Sequence, residues 1–250
     1  MQPDIDVLGL SIKTFGVCFA FGFLAAGAVV SRRLKELGKP VDWAYEIVFS
    51  SLVGGLVGAR LYFLVQHPND FKDDPLGSLF GGTGLVWYGG AIGVLLWAWR
   101  RKFLSLAMFD LCCVPLALGY AIGRVGCQIS GDGDYGRATD LPWGMAYPKG
   151  TVPTTQDVHP TPIYETITMG LLTWVLWRYR DRVRPGVLFG WYLIGGGLER
   201  FLVEFVRRNH DTAIGLTGPQ IESLTLVVGG LIWLEVLRRR GGWSPAPATA

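Results

Sequence analysis

The feature that most constrains this 250-residue chain is a series of apolar windows that carry little or no charge. Each is about 18 to 22 residues long, the length of helix that crosses a bilayer core of about 30 Å. Charged residues make up only 17% of the chain, whereas soluble domains carry roughly 25%. The sequence therefore predicts an all-α, polytopic membrane protein.

We place seven transmembrane spans on these apolar windows. They cover residues 9–31, 43–65, 84–99, 106–123, 160–177, 186–206 and 217–237. The first span follows acidic residues instead of a basic segment, and no small-residue cleavage site follows it, so we interpret it as a retained span rather than a signal peptide. Residues 1–240 then form one membrane domain, and the Pro- and Ala-rich tail 241–250 is expected to be disordered.

Basic residues orient the spans, because most of the chain's 23 lysines and arginines cluster at alternate span ends. The clusters lie at residues 32–39, 100–102, 178–184 and 238–240. By the positive-inside rule these ends are cytoplasmic, which places the N-terminus outside and the C-terminus inside. The segment 124–159 is then an outer-face loop, which we expect to form a small cap over a lipid cavity. The clusters suit anionic lipid headgroups, and no nucleic-acid motif accompanies them.

The stretch GYAIGRVGCQISGDGDYG, residues 119–136, places an arginine where an apolar helix is predicted to break into a glycine-rich, acidic loop. An unpaired charge near the bilayer centre costs about 3 kcal/mol or more. We therefore expect Arg124 to have an anionic partner. Asp132 and Asp134 follow in the loop, where they belong either to a solvated turn stabilised by glycines or to a site.

Two further arginines lie within apolar spans, behind glycine-rich helix turns that allow neighbouring backbones to approach closely. They are Arg60 in GGLVGARLYF and Arg200 in GGGLERFLVEF. Glu204 lies one helical turn after Arg200 and is costly in an apolar run unless it is paired or functional. Snorkelling to a headgroup, or a structural pair between Arg200 and Glu204, is the alternative to a binding role.

Two outer-face motifs supply further candidates. Tyr88, followed by Gly89 and Gly90, opens the third span, where it is either an aromatic-belt anchor or a hydroxyl exposed by its glycine neighbours. His159 and Tyr164 lie in HPTPIYE at the outer start of the fifth span, and a helix-start role is the favoured interpretation. None of the four cysteines has CxxC spacing, so neither a disulfide framework nor a zinc site is predicted.

These motifs together resemble the prolipoprotein diacylglyceryl transferase family. Gly123-Arg124-Val125-Gly126, followed by Ser130-Gly131-Asp132 and Tyr135-Gly136, is similar to the family signature GRxGNFxNGExxG. Further similar segments are SIKTFGVCF, GARLYF, WYGGAIG, HPTPIYE, RFLVEFVR and LTGPQIESL. Several weak motifs in the family's order are more specific than any one of them alone.

The resemblance implies an enzyme of the bacterial inner membrane that needs no metal or organic cofactor. Such an enzyme moves the diacylglyceryl group of phosphatidylglycerol to the lipobox cysteine thiol of a preprolipoprotein and releases glycerol phosphate. The implied partners are phosphatidylglycerol, lipobox peptides and membrane lipids, with no nucleic acid. A non-enzymatic lipid or lipopeptide binding protein on the same scaffold, or a small transporter, is the alternative.

The resemblance also implies roles for individual residues. The catalytic candidates are Arg124, Arg200, Tyr88, Asp132 and Glu204. The substrate-binding candidates are Arg60, Arg124, Gly89, Gly90, Cys127, Asp134, Gly136, His159 and Tyr164. Guanidinium groups suit this chemistry because the phosphate leaving group develops negative charge.

This sequence departs from the family pattern where a base or a polar partner is expected. Tyr88 replaces a histidine, Cys127 an asparagine, and Phe15 and Gly196 two tyrosines. Tyrosine, with an ordinary pKa of about 10, is a poorer base at neutral pH than histidine. Either another group activates the thiol, with Asp132, Asp134 or Glu204 as candidates, or this is a divergent member with altered substrate or activity.

Overall fold

A computed structural model describes residues 1–7, 10–66, 87–209 and 215–243, without the side chains of residues 6, 7, 10, 59, 60, 62–66 and 87–90. The described chain is mostly helical, with one helix at each predicted span. The helices are α1 (Thr14–Glu36), α2 (Trp43–Gln66), α3 (Trp87–Arg100), α4 (Leu106–Ser130), α5 (Thr161–Tyr179), α6 (Val187–Glu204) and α7 (Gly218–Arg239).

Three of the described helices, α1, α4 and α7, are long and apolar enough to cross a membrane. The full count of seven spans stays a prediction. The chain divides into two compact units, one of Met1–Val29 with Phe109–Ala250 and the other of Val30–Met108. The sequence features that bear on function fall in both units.

Two short hairpins correct the all-α prediction. Strand β1 (Asp4–Val7) pairs antiparallel with β2 (Leu10–Lys13), so the first helix begins at Thr14 and the helical start predicted at residue 9 was wrong. The run Leu-Ser-Ile-Lys alternates apolar and polar residues, which is the period of a strand. Lys13 Nζ also lies 2.8 Å from Asp4 Oδ1 across the hairpin.

The fourth helix is longer than its apolar window. We expected the chain to leave the helix at Arg124, but α4 continues to Ser130. It ends at Gly131, whose φ of +60° is the left-handed conformation in which glycine commonly terminates a helix. Arg124 therefore projects from a regular helix, which fixes its position more tightly than a loop does.

An apolar core holds α4, α5 and α6 together in the first unit. Its buried residues are Cys113, Val114, Ala117 and Ala121 of α4, Met169 and Leu176 of α5, and Leu188 of α6. Asp110 of α4 adds a polar tie, because its carboxylate accepts hydrogen bonds from the backbone N–H groups of Gly186 (2.7 Å) and Phe189 (2.9 Å). These bonds satisfy free N–H groups at the start of α6.

Glycines bring α6 and α7 into close contact. A Cβ added at Gly197 would lie 2.8 Å from the carbonyl oxygen of Ser223, and one at Gly230 would lie 3.1 Å from that of Gly190. A capping box begins α7, because the side chain of Thr217 accepts from Gln220 N–H while the Gln220 side chain accepts from Thr217 N–H. The start of α7 is thereby fixed beside the end of α6.

Large apolar side chains remain exposed on the outer faces of the helices. Examples are Phe21 and Leu24 on α1, Leu171 and Trp174 on α5, and Leu231 and Ile232 on α7. Soluble monomers rarely expose apolar surface on this scale. Acyl chains are the environment that suits these faces.

The second unit contains α2 and α3. Gly93 of α3 lies so close to α2 that an added Cβ would lie 3.2 Å from the Cα of Gly54. Glu46 accepts hydrogen bonds from Trp97 Nε1 (2.6 Å) and Arg101 Nε (2.8 Å). These contacts join the start of α2 to the end of α3.

A second hairpin follows α4 in the first unit. Strand β3 (Met145–Tyr147) pairs antiparallel with β4 (Thr154–Val158), and the Tyr135 ring stacks on Tyr147 with centroids 4.7 Å apart. This hairpin forms part of the segment for which we predicted a small cap.

Candidate active site

Three arginines and three carboxylates form one ion-pair cluster in the first unit. The arginines are Arg124 of α4, Arg200 of α6 and Arg207 just beyond α6; the acids are Asp134 of the loop after α4, Glu165 of α5 and Glu204 of α6. Buried charges need such partners, because an unpaired ion inside a protein or a bilayer is costly.

Glu165 is the centre of the cluster. Its side chain is fully buried, and its carboxylate lies 3.0 Å from Arg124 Nε and 3.4 Å from Nη1 of both Arg200 and Arg207. The hydroxyl of Tyr120 donates a further hydrogen bond to it at 3.1 Å. One carboxylate from α5 thus positions three guanidinium groups.

Arg124 has the anionic partner that we expected. Besides Glu165 it pairs with Asp134, and its Nη2 donates to the hydroxyl of Tyr120 at 3.1 Å. Tyr120 lies one helical turn before Arg124, and its ring centroid is 4.9 Å from the guanidinium carbon. Asp134, Glu165 and Tyr120 therefore together fix the orientation of the guanidinium group.

Arg200 makes the structural pair with Glu204 that we considered, at 3.0 Å between Nη2 and Oε2. Its second acid partner is Glu165. Glu204 is buried, and its Oε1 accepts hydrogen bonds from Asn209 Nδ2 (2.5 Å) and Thr217 Oγ1 (2.9 Å). The residue that caps α7 therefore also fixes the acid that orients Arg200.

Asp134 is the acid of the cluster that the loop supplies. Burial alone would raise the pKa of Asp134, but the charges and hydrogen bonds of Arg124 and Arg207 lower it below its usual value of 3.8. Asp132 makes no such pair among the described residues, and its Oδ1 accepts a hydrogen bond from Asp134 N–H at 3.2 Å. Of the two loop aspartates, Asp134 is the one that pairs with arginines in the described part of the chain.

The ligand atoms of Cys127, Asp132 and Asp134 lie within 4.8 Å of one another, a spacing compatible with a metal ion. Arg124 also lies at this group, with Nη1 3.7 Å from Cys127 Sγ and an ion pair to Asp134. A guanidinium already supplies positive charge there, so the group fits an arginine rather than a metal ion.

His159 and Tyr164 form a separate polar group at the start of α5. Nδ1 of His159 lies 3.3 Å from the Tyr164 hydroxyl, which also accepts a hydrogen bond from Trp143 Nε1 at 2.8 Å. No hydrogen bond joins these two side chains to the three arginines in the part of the chain that the structure describes. Gly136 lies nearby and donates its N–H to the His159 carbonyl at 2.8 Å.

Four predicted site residues lie in the second unit. Gly89 and Gly90 fall within α3. The side chains of Arg60 and Tyr88 lie outside the described residues, so their roles stay predictions.

Four residues of this region were missing from the predicted site: Glu165, Arg207, Tyr120 and Glu199. Helical spacing carried a signal for two of them. Arg207 follows Arg200 and Glu204 at a spacing that keeps all three on one helix face, and Tyr120 precedes Arg124 by one turn. We had treated Glu165 only as part of the helix-start motif HPTPIYE, because nothing in that motif reveals ion-pair partners on other helices.

Comparisons with known proteins give one consistent description. The sequence matches the family Prolipoprotein diacylglyceryl transferase over residues 4–236. It is 31% identical to the phosphatidylglycerol–prolipoprotein diacylglyceryl transferase of Clostridium tetani over 238 residues, which cover 92% of this chain and 95% of that relative. A relative of the same name from Aliivibrio salmonicida is 34% identical over 94% of this chain and 87% of its own length. Another from Geobacter sulfurreducens is 34% identical over 96% of this chain and 96% of its own length. Because the match spans nearly the whole chain, this protein belongs to the prolipoprotein diacylglyceryl transferase family.

Proposed function

We propose that this protein is an enzyme that transfers the diacylglyceryl group of phosphatidylglycerol to the cysteine thiol of prolipoproteins during bacterial lipoprotein maturation. Family membership supports the reaction, and the names of the relatives contain both substrates. The observation that carries the proposal is the gathering of three guanidinium groups around one buried carboxylate. The acceptor segment is the lipobox of the prolipoprotein.

Arg200 is the guanidinium best placed to receive a lipid phosphate. Its side chain is 24% exposed, compared with 17% for Arg124 and 10% for Arg207. Acids contact its two terminal nitrogens, so further N–H donors of the planar fork are left for phosphate oxygens. Arg124 shares the Glu165 carboxylate with Arg200, and both charges therefore act on the same small volume.

The transfer develops negative charge on the phosphate as the glycerol phosphate leaves. Guanidinium groups that are already oriented in a site of low dielectric stabilise this charge better than water does. The carboxylates of the cluster supply that orientation before the substrate binds. The nucleophile is the thiolate of the substrate cysteine, and no metal or organic cofactor enters the proposal.

We assign the Tyr88 hydroxyl to orient the lipid headgroup by hydrogen bonding. Tyr88 matches the position of the family's histidine, but a phenol with an ordinary pKa near 10 is an inefficient base at neutral pH. Tyr88→Phe should weaken transfer modestly, and Tyr88→His should be tolerated. Arg60, Gly89 and Gly90 remain candidates for the same headgroup.

We place the protein in the bacterial inner membrane with its N-terminus outside and its C-terminus cytoplasmic. The basic clusters at alternate span ends support this orientation. The loop that supplies Asp134 and the hairpin of β3 and β4 then face the outer side. A lipobox peptide presented at the outer face would reach the site from there.

The test is to incubate the purified protein with phosphatidylglycerol and a lipobox peptide and to measure the peptide's mass. We expect the mass gain of a diacylglyceryl thioether, and none when the peptide cysteine is replaced by serine. Arg124→Lys should lower the rate at least tenfold, because an ammonium cannot reproduce the planar guanidinium fork. Arg239→Lys is the matched control, since Arg239 is an exposed arginine at the end of α7.

Two results would contradict the proposal. Phosphatidylglycerol binding without any thioether would indicate a lipid-binding protein, and transbilayer movement of lipid without thioether would indicate a transporter. Undiminished turnover of both Arg124→Ala and Arg200→Ala would instead remove these residues from phosphate binding.

A further inference from the structure

Glu199 of α6 differs from the three acids of the ion-pair cluster. Asp134, Glu165 and Glu204 each have guanidinium partners within 3.4 Å. The Oε1 atom of Glu199 is buried, yet it has no hydrogen-bond partner among the described residues. Buried polar atoms of this kind are rare and call for an explanation, of which a catalytic role is one.

The charges around Glu199 are those of the cluster. Its electrostatic neighbours are Glu165 of α5, Arg124 of α4, Arg200 of α6 and Arg207 just beyond α6. The three guanidinium groups already face three paired carboxylates, and no ion pair joins Glu199 to a cation among the described side chains. A buried carboxylate that lacks a close cation is stabilised when it accepts a proton, and accepting a proton is the task of a base.

Open space lies next to Glu199 on the same face of α6. Gly196 lies one helical turn before Glu199, on the same face of the helix. A Cβ added at Gly196 would meet no described heavy atom within 4 Å. The missing side chain at Gly196 therefore leaves room for a substrate group one helical turn from Glu199.

The other acids are poorer proton acceptors. Two guanidinium groups lower the pKa of Asp134, and three guanidinium groups hold Glu165. Glu204 accepts hydrogen bonds from Asn209 and Thr217 in addition to its pair with Arg200. A base needs a lone pair that is not already committed, together with a geometry that the substrate proton can reach.

We propose that Glu199 is the general base that accepts the proton of the acceptor cysteine thiol, a role that rests on the proposed transferase function. The S–H bond breaks and its proton moves to a Glu199 carboxylate oxygen. The thiolate sulfur forms a bond to the diacylglyceryl carbon that bears the phosphate ester, and the C–O bond breaks. The electron pair leaves with the oxygen of glycerol phosphate, which takes the proton from Glu199 and restores the carboxylate.

The experiment compares Glu199→Gln with the unaltered protein, using phosphatidylglycerol vesicles and a lipobox peptide between pH 6 and pH 9. Loss of a general base typically costs about 10²- to 10⁴-fold, so we expect a rate loss of at least about 100-fold at pH 7. The loss should shrink toward pH 9, because a thiol with a pKa of about 8.5 then ionises in water without help. Glu199→Asp should recover part of the rate.

Two controls separate this role from a structural one. Glu222→Gln alters an exposed acid of α7 and should leave the rate unchanged. The thermal stabilisation that phosphatidylglycerol gives the protein should be the same for Glu199→Gln as for the unaltered chain. If Glu199→Gln cannot be purified folded, Glu199→Asp carries the test, with a lower kcat, an unchanged KM for lipid and the same recovery at high pH.

Three outcomes would overturn the proposal. A full rate for Glu199→Gln at pH 7 removes Glu199 from the reaction. A loss of the same factor at every pH assigns it to folding or positioning instead. Absence of thioether with the unaltered protein contradicts the transferase function itself, and this outcome is distinct because it requires no variant.

Discussion

Nη2 of Arg207 lies 2.5 Å from Oδ1 of Asp134, which ties the residue just beyond α6 to the loop after α4. Backbone bonds run beside this pair, because Arg137 N–H donates to the Val206 carbonyl at 2.7 Å and Arg137 Nε donates to the Arg207 carbonyl at 2.9 Å. The loop acid and the arginine are thus fixed to each other by both side chain and main chain.

Replacing Arg207 should damage both stability and transfer. Arg207→Ala leaves Asp134 and the buried Glu165 with one guanidinium fewer, and breaking a buried pair typically costs about 3–5 kcal/mol. We expect a lower unfolding temperature in detergent and at least a tenfold lower rate of thioether formation. Arg239→Ala, at an exposed arginine of α7, should change neither. Equal behaviour of the two variants would show that Arg207 is not part of the site.

The negative charge of Glu165 should reduce the electrostatic repulsion among the three arginines. Glu165→Gln keeps the shape of the side chain but removes the charge that faces Arg124, Arg200 and Arg207. We expect this variant to unfold at a lower temperature than the unaltered protein. Added phosphatidylglycerol should raise the unfolding temperature of the variant more than that of the unaltered protein, because the lipid phosphate supplies the missing negative charge. A smaller lipid-induced shift in Glu165→Gln would contradict this.

The ionised form of Asp134 should contribute stability that acid removes. Because the pKa of Asp134 is below 3.8 in the folded protein, its contribution is complete above the pKa of the unfolded chain and is lost as pH falls through the folded pKa. The difference in unfolding temperature between the unaltered protein and Asp134→Asn should therefore be constant near neutral pH and shrink below about pH 4. A difference that stays constant down to pH 3 would contradict the lowered pKa. Asp140→Asn, at an exposed acid of the same segment, controls for the change in net charge.

Gly136 should tolerate no side chain. An added Cβ would lie 2.9 Å from the Cβ of His159 and 3.1 Å from Cγ2 of Thr161, and it would also collide with the carbonyl oxygen of Val206. We expect Gly136→Ala to destabilise the protein by about 1–3 kcal/mol, the usual cost of overpacking. Gly170→Ala is the matched control, because no described atom lies within 4 Å of its added Cβ, and a helical glycine replaced by alanine gains roughly 0.5–1 kcal/mol. Equal unfolding temperatures for the two variants would contradict the close packing at Gly136.

The orientation in the membrane can be measured with reporter fusions. Because basic residues cluster at alternate span ends, a reporter at the C-terminus should be active only if it functions in the cytoplasm. A reporter inserted between residues 140 and 144, in the loop before β3, should be active only on the outer side. The reverse pattern would place the candidate site on the wrong face for the proposed peptide substrate.

The sequence by itself determined the helical elements and the family. Apolar windows of membrane length placed a helix at every predicted span, since hydrophobicity along the chain is a local property. The ordered motifs around Arg124 and Arg200 indicated the family that the comparisons then showed. The alternation of apolar and polar residues in β2 is also a local pattern. It was overlooked because the predicted first span, residues 9–31, extends across this strand.

Only the tertiary structure decided which charges meet. Glu165 belongs to a helix-start motif, Asp134 to a glycine-rich turn and Arg207 to a helix end, and nothing near any of them in the chain reveals the other two. Their meeting depends on how the buried faces of α4, α5 and α6 pack, and packing is a relation between distant segments. The same relation leaves Oε1 of Glu199 without a hydrogen-bond partner among the described residues, because the charge balance of the cluster exists only once three helices and a loop have come together.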